Sequence, residues 1–320
     1  MAGNANYNTD LLATTFELFL SKQPKDAIFN DLVLFDVLQK RAKIKRKGGI
    51  KLLEPLMYAK STSGGSYSGY DTFDVSPQEG FTNAEYSWKF YEWSISISGP
   101  EELQNAGESQ MIDLLEGKWE QTRMSMQDKL DQDSFLDGTG NNSKELTGLA
   151  LMVDNAGTYG NIVRSTNTWW KAVETAAGGV LAVSGSAGMR RIFNDASLGK
   201  AKRTPNLIIG TQIEFEAYEA LMDANMRFTN TGEQNVGFSN PNLMFRSAPL
   251  FWDEYCQSGV MYFLNTEFMK LVVHEERDFK TSEWKKPVNQ DAKVAQIFFA
   301  GEMVSSNCRH LAKLTGITNT

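Results

Sequence analysis

The sequence predicts an α+β fold, and three observations carry that prediction. Apolar and aromatic residues alternate over two runs between Ile50 and Ile97, which reads as two long strands joined by a polar tip. A helical stripe follows, made of Met111, Leu115, Trp119, Met126 and Leu130, behind coincident helix-start signals. Beyond Gly138, short buried-strand runs mix with a capped amphipathic helix. The 320 residues leave room for a sizeable core and two domains.

The first element is a helix. Ile28, Leu32, Phe35 and Leu38 recur at helical spacing after Pro24, which suits a helix start. The run KRAKIKRK then sets Lys40, Arg41, Lys43, Lys45, Arg46 and Lys47 together, six basic residues in eight. A phosphate-binding patch is one reading. The other, favoured by the acidic whole, is a helix C-terminus whose cations complement the dipole before the chain enters a solvated strand.

From Gly48 the chain becomes extended. Ile50, Leu52, Leu56 and Tyr58 fall on even positions, as one strand face requires, and Pro55 places the strand at an edge or a bulge. In the return run EYSWKFYEWSISIS, Tyr86, Trp88 and Phe90 alternate, and then Trp93, Ile95 and Ile97 do. That slip predicts a β-bulge between Phe90 and Trp93, which keeps one face apolar. The intervening KSTSGGSYSGYDTF is polar and far longer than a hairpin turn needs.

SGPEEL opens the next helix, with Ser98 as N-cap, Pro100 in the first turn and Glu101 completing a capping box. If it runs unbroken past Gly107 to Leu136, that helix is about 55 Å long. With a single apolar stripe, it reads as a strut. PNLIIG, from Pro205 to Gly210, is a buried strand run. Thr211 and Glu214 form a second capping box, behind which Phe215, Tyr218 and Leu221 or Met222 share a face. GVMYFLN, MKLVVH and KVAQIFFA are further strands.

The chemistry-bearing patterns fail on inspection. Gly138 to Lys144 resembles a phosphate loop, but Ser143 stands where the glycine before the lysine belongs and Glu145 where the magnesium-binding hydroxyl belongs. A turn after a helix C-terminus explains those glycines. Gly65 to Gly69 does not fit a nucleophile elbow. His274 ends an apolar strand, His310 lies in a strand-like segment, and neither has a nucleophile beside it. Cys256 and Cys308 are the only cysteines, too few for a disulfide framework and pointing to a reducing setting. The net charge of -7 argues against a protein that grips nucleic acid as its main task. No apolar run approaches a membrane span, and the start MAGNANYNTD lacks signal-peptide character.

Taken in order, these segments have a likeness. A basic run with GG leads to IKLLEPLMYA, a glycine-serine-tyrosine tip and an aromatic return strand ending in WSISISGPEEL. A long helix then runs to FLDGTGNNSKELTGLALMV, and GTYGNIVRSTNTWW, PNLIIGTQIEFEAYEALM, LMFRSAPLFWDEY, GVMYFLNTEFMKLVVH and FFAGEMVSSNCRHLAKLTGI follow. From about Leu11 onward this order and spacing resembles the major capsid proteins of tailed bacteriophages, which share the HK97-like fold. The resemblance implies an N-terminal arm (1–46), an extended loop (47–93), a peripheral domain with a spine helix (94–148), an axial domain (149–265) and a return segment of the peripheral domain (266–320).

It also implies a structural, non-enzymatic protein without cofactor or metal. Copies would assemble as hexamers and pentamers into an icosahedral or prolate shell around double-stranded DNA, held without sequence-specific binding. Lys60, Tyr67, Tyr70 and Phe73 are the inter-subunit contact candidates on the loop, and Lys40 to Lys47 would face DNA or a neighbour. The location implied is the virion capsid, assembled in the host bacterial cytoplasm, with no membrane. Separate scaffold, portal and decoration proteins are the further partners. Because Lys60 and Lys89 flank a tip without lysine from Ser61 to Trp88, no isopeptide cross-link is expected. About 45 residues before the arm are too few for a built-in scaffolding segment.

Three alternatives stand beside this reading. An encapsulin-type compartment shares the architecture and encloses protein cargo. A soluble hydrolase would form a small discrete species. A glycan-binding module would use Trp169 and Trp170, whose plainer role is core packing.

Overall fold

The structure is a computed structural model that describes residues 33–41, 43–46, 48–104, 108–198, 203–223, 243–246 and 248–318. Pro24, Ile28, Leu32, Lys47 and Gly107 lie outside the described residues. Helix α1 (Val33–Arg41) buries Leu34, Phe35 and Leu38, two of which the helical spacing had singled out. Strand β1 (Lys43–Arg46) follows, so the basic run is the end of a helix leading into a strand.

Gly48 and Gly49 then take φ of 63° and 97°, values that side-chain-bearing residues rarely adopt, and turn the chain into β2 (Lys51–Met57). Strand β3 (Phe81–Ser87) returns antiparallel to it, with Lys51 opposite Ser87 and Met57 opposite Phe81. One face of this ladder is buried through Leu52, Glu54, Leu56, Ala84 and Tyr86. The even-position prediction therefore holds for Leu52 and Leu56, while Ile50 is 95% exposed.

The predicted bulge is displaced. The phase change falls at Trp88, where β3 ends and β4 (Lys89–Ser98) begins, and Phe90 points outward. The reason is a change of partner: β3 pairs with β2, whereas β4 pairs with β14 (Ala292–Ser305), so each buries its own face.

Helix α2 (Gly99–Gln104) opens on the predicted capping box. Ser98 N donates to Glu101 Oε2 at 3.0 Å and Glu101 N donates to Ser98 Oγ at 3.4 Å. The hydrogen bond from the Ser98 amide holds the Glu101 carboxyl below the usual range. Helix α3 (Glu108–Phe135) has 28 residues and so extends about 42 Å; its continuity with α2 falls outside the described residues. Met126 and Leu130 of the stripe are buried, and Trp119 donates its indole N–H to Thr281 Oγ1 at 3.0 Å. The side chains of Met111 and Leu115 lie outside the described residues. The DGTGNNSKE stretch is a turn in which Asn141 and Asn142 are left-handed and Asp137 accepts from the Thr139 amide and hydroxyl.

The remaining elements in order are α4 (Leu149–Met152), β5 (Thr158–Tyr159), β6 (Ile162–Val163), β7 (Val173–Gly179), α5 (Met189–Ser197), β8 (Leu207–Gly210), α6 (Gln212–Asp223), β9 (Leu243–Phe245), β10 (Ala248–Trp252), β11 (Met261–Leu264), β12 (Met269–His274), β13 (Lys280–Thr281) and β15 (Ala312–Ile317). Six strands form one sheet in the order β7-β15-β11-β8-β10-β9. Its core joins Ile208, Leu250, Phe263 and Leu314 to Ile192 and Phe193 of α5 and Tyr218 of α6. Thr211 N donates to Glu214 Oε2 at 2.9 Å, which bears out the second capping box.

Among the described residues the chain divides into two compact units. One draws on Tyr91–Lys129 and Glu276–Phe299, and the other on Leu32–Phe90, Leu130–Glu275 and Ala300–Thr320. In the first, β13 pairs with Ile297 and Phe298 of β14, and Tyr91 and Phe279 both pack on Phe299. The second holds the six-stranded sheet, the β2–β3 ladder, and β12 between β1 (parallel) and Gly301–Ser305 of β14 (antiparallel). His310 is a correction: it sits buried in a 3-10 turn before β15, stacked on Phe268. Its Nδ1 hydrogen-bonds the Ala196 carbonyl and so ties the turn to α5.

Candidate assembly surface

The β2–β3 ladder is seated by its inner face and open on its outer one. Glu54, almost fully buried, pairs with Arg46 at 3.2 Å and with Lys270, so a carboxylate between Leu52 and Leu56 is neutralised from β1 and β12. Tyr86 donates its hydroxyl to Ser305 O at 3.1 Å and meets Tyr159 edge-on. Glu85 N donates to Gly160 O at 2.9 Å. That approach needs a glycine: Gly160 has φ of 60°, and a Cβ there would stand 3.0 Å from Ala84 Cβ. At the first turn of the arm, Gly48 N donates to His274 Nε2 and Trp88 Nε1 donates to Gly49 O.

The outer face carries Leu53, Met57 and Phe81, with Met57 and Phe81 opposite each other and both more than two-thirds exposed. Residues 58–80 join the strands without regular structure. All four contact candidates of this loop are exposed: Lys60, Tyr67, Tyr70 and Phe73. Tyr67 and Phe73 meet edge to face at 5.0 Å, while Tyr70 is fully exposed. Local turns stiffen the tip. Ser68 N donates to Asp71 Oδ2 at 2.7 Å, and the Ser76 hydroxyl and amide both donate to Asp74, holding its carboxyl below the usual range.

Where the loop meets the ladder there is an open cleft of about 530 Å³, lined by Tyr58, Phe81, Asn161, Val163, Thr166 and Trp169. Tyr58 stacks on Trp169 at 5.5 Å. Trp170 is buried and donates its indole N–H to Tyr159 O at 2.9 Å, the packing role foreseen for it. The cleft joins residues a hundred positions apart; the sequence singled out Trp169 as a binding candidate and Tyr58 only as part of a strand face.

The described members of the basic run differ in setting. Arg46 is committed to Glu54 and donates to Leu53 O at 3.2 Å. Lys40 and Lys45 are exposed, Lys43 is half-buried, and the Arg41 side chain and all of Lys47 lie outside the described residues.

Four groups capable of chemistry are held in packing. Burial pushes the Cys256 and Cys308 thiols up, away from the reactive thiolate. Arg164 is fully buried and spends its guanidinium on the carbonyls of Leu151, Met152, Ala156 and Trp170, tying α4 to the turn that follows β6. Burial raises Glu302 to about 8, while its oxygens accept from Thr147 and Met303. Among the described residues no cluster of histidine, cysteine and carboxylates is placed to hold a metal, and no helix is long and apolar enough to cross a membrane.

No family model matches the chain, and no curated protein matches it in sequence. Solved structures do match. The cyanophage A-1(L) capsid subunit superposes with a TM-score of 0.71 at 14% identity, over 93% of this chain and 95% of its own. The capsid of the native GTA particle gives 0.60 at 13% identity, over 99% and 100%. The SrpI encapsulin of Synechococcus elongatus PCC 7942 gives 0.59 at 9% identity, over 96% of both chains. At such identities the likeness is one of fold, and it extends over nearly the whole of each chain. The chain has the HK97-like capsid fold.

Proposed function

We propose that this chain is the structural subunit of a closed protein shell, the major capsid protein of a tailed phage. The observation that carries it is the combination of a capsid fold with an arm whose outer face and loop leave Leu53, Met57, Tyr70, Phe73, Val75 and Phe81 exposed. A chain that stayed alone would gain nothing from apolar side chains gathered on one arm, whereas a tile meets its neighbours there. In this reading residues 47–93 are the extended loop lying across a neighbouring subunit, with Lys60, Tyr67, Tyr70 and Phe73 as contacts. Residues 94–148 carry the spine helix of the peripheral domain and 149–265 the axial domain, which β15 joins through its sheet; 266–320 are the return segment. Residues 1–46 are the N-terminal arm, distinct from the β2–β3 arm, and Lys40 to Lys47 face DNA or a neighbour.

Hexamers and pentamers closing around double-stranded DNA account for the fold's use, since each subunit then engages several neighbours and modest contacts sum by avidity. Scaffold, portal and decoration proteins are partners of such a shell, and the host cytoplasm is where it would assemble. No catalytic step belongs to this role. Electron micrographs of the purified full chain should show closed particles, and a monodisperse small species under all assembly conditions would refute the proposal. The encapsulin likeness supports a second reading, a compartment with protein cargo. Nucleic acid inside particles isolated from the native source favours the phage capsid; a co-purifying enzyme favours the compartment.

A further inference from the structure

The cleft of about 530 Å³ at the root of the loop is walled by parts that hydrogen bonds and packing hold in place. Gly160 and Asn161, both with φ of 60°, form the two-residue turn between β5 and β6, a tight geometry that fixes where the Asn161 side chain starts. Glu85 N of β3 donates to Gly160 O at 2.9 Å, which sets that turn against the strand carrying Phe81 and Thr82. Val163 O accepts from Asn167 N, Asn167 Nδ2 and Thr166 Oγ1 at 3.0 to 3.1 Å. Trp169 stands on the 3-10 turn Thr168–Trp170, which the buried Trp170 anchors. A site built this way has little left to order when a ligand enters.

Its lining joins aromatic side chains to uncommitted hydrogen-bonding groups. Tyr58 stacks on Trp169, and Phe81 is 76% exposed. Among the described residues no hydrogen bond takes up the Asn161 amide, the Tyr58 hydroxyl, Trp169 Nε1 or the Glu79 carboxylate. Asn167 commits Nδ2 to Val163 O and Thr166 Oγ1, so its Oδ1 is left as an acceptor. Among the described residues that line the cleft there is no lysine, arginine or histidine.

We propose that this cleft binds an uncharged sugar, with the C–H face of one ring against the aromatic side chains and its hydroxyls on Asn161, Asn167 and Glu79. Other ligand classes match the lining less well. A phosphate or carboxylate would find no cation there and would meet Glu79. A purely apolar occupant would leave the amides and the indole N–H unpaired. An ammonium has donors alone, so it could serve Glu79 but not the indole and amide N–H groups. A sugar hydroxyl donates and accepts at once, and the C–H groups on one face of its ring carry the slight positive charge that an aromatic face attracts. The volume lies in the range of small-ligand sites. Of the two adjacent tryptophans, Trp169 is the one placed for this role, since Trp170 is committed to the core.

Saturation-transfer difference NMR on the full chain tests this, run before and after dissociation of any particles. The probes are neutral mono-, di- and tetrasaccharides of glucose, galactose, mannose and N-acetylglucosamine. Transfer to the ring C–H protons of at least one probe is expected. Trp169→Ala should weaken that binding about tenfold. Asn161→Gly keeps the turn, because glycine tolerates its φ, and removes the amide; it should weaken binding several-fold, and it serves if Trp169→Ala does not fold. Binding that grows with chain length marks a polysaccharide as the source, and binding complete with one sugar marks a free saccharide; either result upholds the site. No transfer to any probe in either form, or equal binding by the native chain and the folded variants, overturns it. So does a loss of particles in Asn161→Gly without sugar binding by the native chain, which gives the cleft to contact between copies. The readout is binding and not particle formation, so the sugar site and the shell reading stand or fall separately.

Discussion

The two faces of the β2–β3 ladder are built from alternate residues of the same strands and do opposite things. Leu52, Glu54, Leu56, Ala84 and Tyr86 are buried against the chain's own body, while Leu53, Met57 and Phe81 are left to solvent. Strand geometry alone separates them, since successive side chains point to opposite sides. The difference teaches that the arm is anchored and offered at once: its inner face belongs to the monomer's stability, and its outer face and loop belong, in the shell reading, to other copies.

The comparison breaks most readily on the inner face. Glu54→Ala would leave Arg46 and Lys270 facing each other without their shared carboxylate. Removing one partner of a buried ionic cluster costs about 3–5 kcal/mol, and thermal or denaturant unfolding of the variant should show a loss of that order. A buried carboxylate elsewhere in the same unit behaves differently: among the described residues Glu302 has no ion-pair partner in contact, only the lowering charge of Lys89, and burial raises it to about 8 from an ordinary 4.5. A raised group favours the fold most below 4.5, and that advantage is lost as pH climbs through about 8. Glu302→Gln keeps an acceptor for the Thr147 and Met303 amides and never ionises. It should raise the melting temperature by several degrees at pH ~9 and leave it unchanged at pH ~5. The smallest effect on stability belongs to the outer face. Met57→Ser and Phe81→Ser should each shift unfolding by less than about 0.5 kcal/mol, yet weaken particle formation when measured by light scattering.

Much of this was legible in the sequence. The capping boxes at Ser98–Glu101 and Thr211–Glu214 were readable because their chemistry is local, three residues apart. So were the buried strand from Leu207 and the helical face of Phe215, Tyr218 and Leu221, which rest on periodicity alone. What failed depended on partners far along the chain. Tyr86, Trp88, Phe90, Tyr91 and Trp93 supply aromatics in both strand phases, and only the switch from β2 to β14 as pairing partner decides where one face ends. The role of Glu54 within that face was not readable, because its partner Lys270 lies over two hundred positions away. The cleft between Tyr58 and Trp169 was beyond reach for the same reason. The loop candidates Lys60, Tyr67, Tyr70 and Phe73 are exposed as a contact role requires, and that role awaits a test on assembled material.

The most direct test removes the offered part and spares the anchored one. Sedimentation velocity of the full chain beside a deletion of Ser61 to Asp71 should show fast-sedimenting closed particles for the first. The second should give only slow, subunit-sized material, with an unfolding midpoint close to that of the full chain. If the deletion variant formed the same particles in the same yield, the loop would not be joining subunits, and the division of labour described for the arm would be wrong.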